Sequence, residues 1–149
     1  MSHSAAGDTI VEEIEIGAPA DRVFTALASA QERVKWWGAE GRFRTTHVES
    51  DLRPGGRWLM RGIGFGGKPF TIEGVYQEID RPRLLVFTWL PSWQDDAVET
   101  LVRFDFVERD GVTTVRLTHS RLVTDSSRAR HRGWPDILAW LKSHVERPT

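Results

Sequence analysis

Between Phe43 and Ser120 the chain passes through six strand-length segments separated by turn residues, with no helical pattern among them. That unbroken block constrains the fold more than any other feature. Strands joined by short turns pair antiparallel, whereas parallel pairing demands a crossover of a dozen or more residues. The predicted strands cover residues 43–49, 56–63, 70–79, 84–90, 100–108 and 113–120. Gly64-Phe65-Gly66-Gly67 supplies one tip. Asp80-Arg81-Pro82-Arg83 supplies a tight link, because proline presets a turn dihedral and donates nothing to a ladder. Asp110-Gly111 is a strong hairpin signal. The middle of the chain therefore reads as an antiparallel meander.

The flanks read differently. Over residues 9–16, Ile10, Ile14 and Ile16 alternate with glutamates, with one slip at Val11, as in a half-buried strand. Pro19 suits a first helical turn, and Val23, Phe24, Leu27 and Ala28 follow at helical spacing, so a short helix is expected over 19–29. A second follows over 31–36. Neighbours on a helix point about 100° apart, so of Trp36 and Trp37 one ring is expected at the surface or a pocket mouth, with Trp37 turned inward. In the last segment Trp134, Ile137, Leu138, Leu141 and Val145 form one stripe of an amphipathic helix over 126–145, capped by Ser126 or Ser127. Pro135 predicts either a kink or a true start near Trp134.

The order strand, two short helices, six strands, long helix gives an α+β class. A curved antiparallel sheet of about six to seven strands is expected to wrap round the C-terminal helix. A strongly twisted sheet around one helix leaves space between them. Residues 1–8 read as a flexible N-terminus and 9–146 as a single domain, which suits a chain of 149 residues.

Twenty Lys and Arg oppose 21 Asp and Glu, a formal charge of −1, so no long-range field favours nucleic acid or anionic lipid as partner. Cysteine is absent, which removes disulfides, thiolate nucleophiles and Cys-type zinc sites, and makes a reducing cytoplasm the simplest location. The first eight residues do not read as a signal peptide, and no apolar run approaches the roughly 20 residues of a membrane span. A homodimer through an exposed sheet edge or the Trp93 loop is the one self-association the sequence suggests.

Several landmarks then follow in a familiar order. They are residues 19–27 (Pro-Ala-Asp-Arg-Val-Phe-Thr-Ala-Leu), Trp36-Trp37, residues 51–56 (Asp-Leu-Arg-Pro-Gly-Gly), Gly74 with residues 80–84, Phe87-Thr88-Trp89, and His131-Arg132-Gly133-Trp134. Together they resemble the family similar to the C-terminal domain of the heat-shock-protein-90 ATPase activator, within the START-like (SRPBCC) helix-grip superfamily. The resemblance implies a Bet v 1-like helix-grip fold with an internal cavity that takes lipids, hormones, polyketides or other apolar molecules. It also carries a stress-related co-chaperone reading. Against that, a chain of one domain leaves no room for the N-terminal domain through which the larger protein engages its chaperone, so chaperone activation is not expected.

Seven tryptophans are hard to close-pack in a chain of this size, and they direct attention to the inner face of the sheet. Alternation pairs Trp58 with Met60, Phe87 with Trp89, and Phe104 with Phe106, while Trp37 approaches from the helices and Trp134 and Leu138 face them from the last helix. The competing reading is that these side chains are simply core. His119, in phase with Val115 and Leu117, is the candidate interior histidine. It is either a weak catalytic candidate or a core histidine with a satisfied ring. Glu73 and Glu99 are the carboxylates that would serve it as acid or base, though Glu73 shares a face with Thr71, Val75 and Gln77 that is more often solvated. Arg121, Arg128, Arg130 and Arg132 make a basic approach to the last helix, suited to an anionic head group or an acidic surface. No metal spacing is present, and the glycine-rich tips lack the Lys-Ser or Lys-Thr of a phosphate loop. The expected function is binding of a small hydrophobic or amphipathic molecule without metal or redox cofactor. A cyclase or hydrolase using the same cavity is the alternative, and a co-chaperone-type interaction protein the third.

Overall fold

A computed structural model describes residues 9–39, 42–92, 99–122 and 133–147. Eight antiparallel strands form one curled sheet in the order β1-β8-β7-β6-β5-β4-β3-β2. They are β1 (Ile10–Ile16), β2 (Gly38–Ala39), β3 (Phe43–Ser50), β4 (Arg57–Ile63), β5 (Pro69–Asp80), β6 (Leu84–Pro91), β7 (Thr100–Arg109) and β8 (Val112–Ser120). The expectation was six to seven, and the extra strand is β2. Two residues carry no alternation, so only pairing with β3 (Gly38 opposite Arg44, Ala39 opposite Phe43) makes them a strand. Gly38, at φ 135°, permits that approach, since a Cβ there would lie 2.5 Å from the Phe43 carbonyl oxygen.

Helices α1 (Ala20–Ala28) and α2 (Ala30–Trp36) carry the chain from one edge strand, β1, to the other, β2. Ser29 ends the first and caps the second, its Oγ accepting the Glu32 N–H at 3.4 Å. The last helix, α3, runs Trp134–Glu146 with Pro135 in its first turn, so the helix starts at the proline rather than kinking there. The proposed caps Ser126 and Ser127, like Arg128, Arg130, Arg132 and the Trp93 loop, lie outside the described residues.

The α3 stripe of Trp134, Leu138, Leu141 and Val145 is buried, and each such side chain contributes about 1.5–3 kcal/mol. The helix packs against both edge strands, β1 and β2, as well as α1 and α2, and so closes the open side of the curl. Polar contacts fix it along β1. Lys142 Nζ donates to the Glu15 carbonyl at 2.8 Å, and Glu146 accepts from the Gly17 N–H at 2.7 Å. The Lys142 ammonium and that backbone N–H hold the Glu146 carboxyl below its ordinary range. Among the described residues no helix is long and apolar enough to cross a membrane.

Glu32 ties the three helices together. Its carboxylate accepts from Arg22 Nη1 at 2.8 Å on α1 and from His144 Nε2 at 2.9 Å on α3. Burial acts to raise this carboxyl, and the hydrogen bonds from His144 and Arg22 more than offset it, leaving Glu32 below its usual range. A carboxyl lowered on folding contributes stability that is complete above its unfolded value and is lost as pH falls through the folded one. Glu32→Gln is therefore expected to cost about 1 kcal/mol at pH 7. The difference from the parent protein should shrink as pH falls below about 4.5. Urea melts at pH 7 and pH 3.5 test this, and an equal penalty at both would refute it.

Candidate functional site

Side chains at alternate positions of β4, β6, β7 and β8 point into the curl, where α3 meets them. Register makes the rows continuous: Leu85 lies opposite Phe104, Phe104 opposite Leu117, and Val102 opposite both Phe87 and His119. All ten expected site residues, Trp37, Trp58, Met60, Phe87, Trp89, Phe104, Phe106, His119, Trp134 and Leu138, are buried here, nine of them in one hydrophobic core and His119 against its Trp89 and Trp134 rings. The indoles form its centre. Trp89 is 5.2 Å from Trp134, 5.9 Å from Trp58 and 6.1 Å from Trp37 between ring centroids, and Trp37 is 5.9 Å from Trp134. Phe87 lies 5.1 Å from Trp58, and Phe104 6.2 Å from Trp134. Rings that sequence alternation assigns to the lining of a hollow thus mesh with one another along this face, largely in tilted and edge-on geometries that are favourable beyond area burial.

Trp36 and Trp37 correct an expectation, because both rings are buried, at 4% and 2% exposure and 5.2 Å apart. Trp37 is the C-cap of α2, with ψ 88°, so it has left the helix and the 100° rule no longer applies to it. The Trp36 indole donates to the Ala26 carbonyl at 2.9 Å, and the Trp37 carbonyl accepts from Thr45 Oγ1 at 2.6 Å.

His119 is fully buried on β8. Trp134 Nε1, which can only donate, reaches His119 Nδ1 at 3.0 Å, so that nitrogen accepts and the proton of the neutral ring is on Nε2. Nε2 lies 2.7 Å from Thr100 Oγ1, whose hydroxyl reaches the Trp89 carbonyl at 3.3 Å. The relay indole, imidazole, hydroxyl, carbonyl crosses from α3 to β6 inside the core. Glu73 and Glu99 stand apart from it. Both are exposed and border a separate groove of about 250 Å³, with Glu49 and Arg57, on the outer face of the sheet. Among the described residues no group of His, Asp and Glu is arranged to hold a metal.

Arg33 and the residues round Trp37 were not legible as site residues. The Arg33 side chain is 1% exposed. It donates from Nε and Nη2 to the Leu27 carbonyl and lies 5.8 Å from the Trp37 ring centroid and 5.4 Å from that of Trp58. The one sequence signal was spacing, since Arg33 shares a helical face with Trp36 and Trp37 at i+3 and i+4. Trp58 Nε1 is a buried donor with no acceptor among the described residues. Outside Trp37 a cleft of about 610 Å³ opens between the end of α2, the β2–β3 hairpin and the β4–β5 tip. Trp37, Ala39, Phe43 and Ile63 line it together with Lys35, Arg42 and Arg44. Arg42 is paired with Asp136 at 2.9 Å and lies 5.9 Å from the Trp140 ring, while Phe43 packs on Trp140 and Phe70.

Residues 17–146 match the family described as "Activator of Hsp90 ATPase homolog 1-like protein". No curated protein matches the chain. Among solved structures, protein CV1439 from Chromobacterium violaceum is 24% identical, with 95% of this chain and 99% of that one covered at a TM-score of 0.82. Protein Ms6760 from Mycobacterium smegmatis is 20% identical, with 97% and 91% covered at 0.78. The AHSA1-like protein from Aeromonas hydrophila is 24% identical, with 92% of each chain covered at 0.72. These likenesses establish the helix-grip type of fold, with eight strands here.

Proposed function

The chain belongs to the family of activator of Hsp90 ATPase homolog 1-like proteins, and on that premise we propose that it binds a small hydrophobic or amphipathic molecule in the cleft beside Trp37, at the edge of the aromatic cluster rather than within it. The observation that carries this reading is the position of Trp37, a residue that lines the 610 Å³ cleft while its buried ring packs on Trp89 and Trp134 at the centre of the core. A volume of that size suits a small organic ligand, and a mostly apolar lining with a few polar groups is the usual composition of such sites. The acid–base alternative has less support, because Glu73 and Glu99, the carboxylates it would use, are exposed and border a separate groove. A reducing location is proposed on the absence of cysteine alone.

The test is a thermal-shift and intrinsic-fluorescence screen with fatty acids, planar aromatics and polyketide-like compounds. A ligand present at a hundred times its Kd is expected to raise stability by about 2.7 kcal/mol, moving Tm up by about 5–10 °C. Indole emission should change with it. A screen in which no compound moves either signal would refute the proposal.

A further inference from the structure

The cleft beside Trp37 carries more positive charge than a chain of net charge −1 leads one to expect. Three cations border it. Asp136 neutralises only Arg42. The side chains of Lys35 and Arg44 make no ion pair or hydrogen bond with any described residue. Arg44 is held in place all the same, because its backbone sits in the ladder between Gly38 of β2 and Ile63 of β4.

Behind the wall of the cleft the imbalance continues. The Arg33 guanidinium lies over the faces of Trp37 and Trp58, is 1% exposed, and has no carboxylate within ion-pair distance among the described residues. A buried charge is ordinarily paired. Trp58 Nε1, on one of the two rings beneath it, is a buried donor without an acceptor among the described residues. Donors and cations thus accumulate in the cleft and in the core behind it, while the described residues supply one carboxylate. Between the cations the cleft also presents the apolar side chains of Ala39, Phe43 and Ile63.

We propose that this cleft binds a flat apolar anion, its carboxylate or phosphate held by Lys35 and Arg44 and its rings laid against Phe43 and Ile63. The inference rests on the ligand-binding reading above and specifies its chemistry. A guanidinium presents a planar fork of donors that matches either oxyanion, and the ammonium adds a point charge. The field of Arg33 reaches the cleft through one ring and opposes binding of a cation there.

The experiment is calorimetric titration of the full chain at pH 7 with 1-naphthoate, 1-naphthyl phosphate and 1-naphthalenemethanol, which share a ring system and differ in charge. The two anions are expected to bind at least about tenfold more tightly than the alcohol. Their order separates a carboxylate from a phosphate ligand. In the double variant Lys35→Gln/Arg44→Gln the anions should fall to the affinity of the alcohol, whose own binding stays unchanged. The exposed Arg57→Gln variant should leave all three as they were. Amide shifts at Gly38, Ala39 and Gly64 should accompany binding. Equal affinity for anion and alcohol, or undiminished anion binding to the double variant, overturns the anion assignment and leaves the ligand-binding reading standing. If none of the three probes binds, the assignment falls, and the wider thermal screen decides the broader reading separately.

Discussion

Gly74→Ala is expected to destabilise the protein by about 3 kcal/mol, with a fall in Tm of about 6–12 °C. Gly74 lies opposite Trp58 in the β4–β5 ladder, and a Cβ built on it would overlap the Thr88 carbonyl oxygen and stand 2.7 Å from Trp58 Nε1. One neighbour is backbone of β6 and the other a ring fixed under Arg33, so neither yields cheaply. The site is already irregular. Between the pairs Glu73–Leu90 and Tyr76–Phe87, the Val75 N–H donates to Thr88 Oγ1 at 2.8 Å in place of a ladder bond. A methyl group therefore has to push β5 away from β6 or displace an indole from the core. Gly133→Ala is the control, since no described residue lies within 4 Å of a Cβ built there and its φ is −82°. It should change stability by no more than about 0.5 kcal/mol. Chemical denaturation of both variants checks the contrast, and a Gly74→Ala protein as stable as the control would show that β5 and β6 are not so closely apposed.

Trp134→Ala is expected to cost about 4 kcal/mol, within the usual span for truncating a buried indole. Its ring meets those of Trp37, Trp89, Phe104 and His119 at 5.9, 5.2, 6.2 and 5.7 Å, so its removal opens space where α3 touches the centre of the sheet. Trp134→Phe separates packing from hydrogen bonding. It keeps an aromatic ring and removes the donor to His119 Nδ1, for an expected cost of about 1–3 kcal/mol. Denaturant midpoints give the two penalties, and near-UV circular dichroism reports whether the remaining indoles keep their fixed surroundings. A loss below about 1 kcal/mol for the alanine variant would mean that α3 does not cover the core as described.

Much of this arrangement was legible in local pattern. Period-two alternation assigned Trp58, Met60, Phe87, Trp89, Phe104 and Phe106 to the inner face, and all are buried. Asp110 and Gly111 have φ of 52° and 81°, the left-handed pair that a two-residue hairpin turn requires. What local pattern missed depends on neighbours far away in the chain. Arg33 reads as a surface cation of a short helix, and only the arrival of Trp58, 25 residues on, encloses it. Helical geometry put one tryptophan of the tandem outside, and the chain's departure from the helix at Trp37 brought both in.

The sequence by itself determined the order of elements, the antiparallel meander and the identity of the inward aromatics, because turn chemistry and side-chain alternation act over a few residues. Only the tertiary structure decided that those aromatics mesh and that β2 exists. It alone also put Lys35, Arg44 and Trp37 round one cleft. The reason is physical: the end of α2, the β2–β3 hairpin and the β4–β5 tip come together only once the sheet has curled and α3 has closed it.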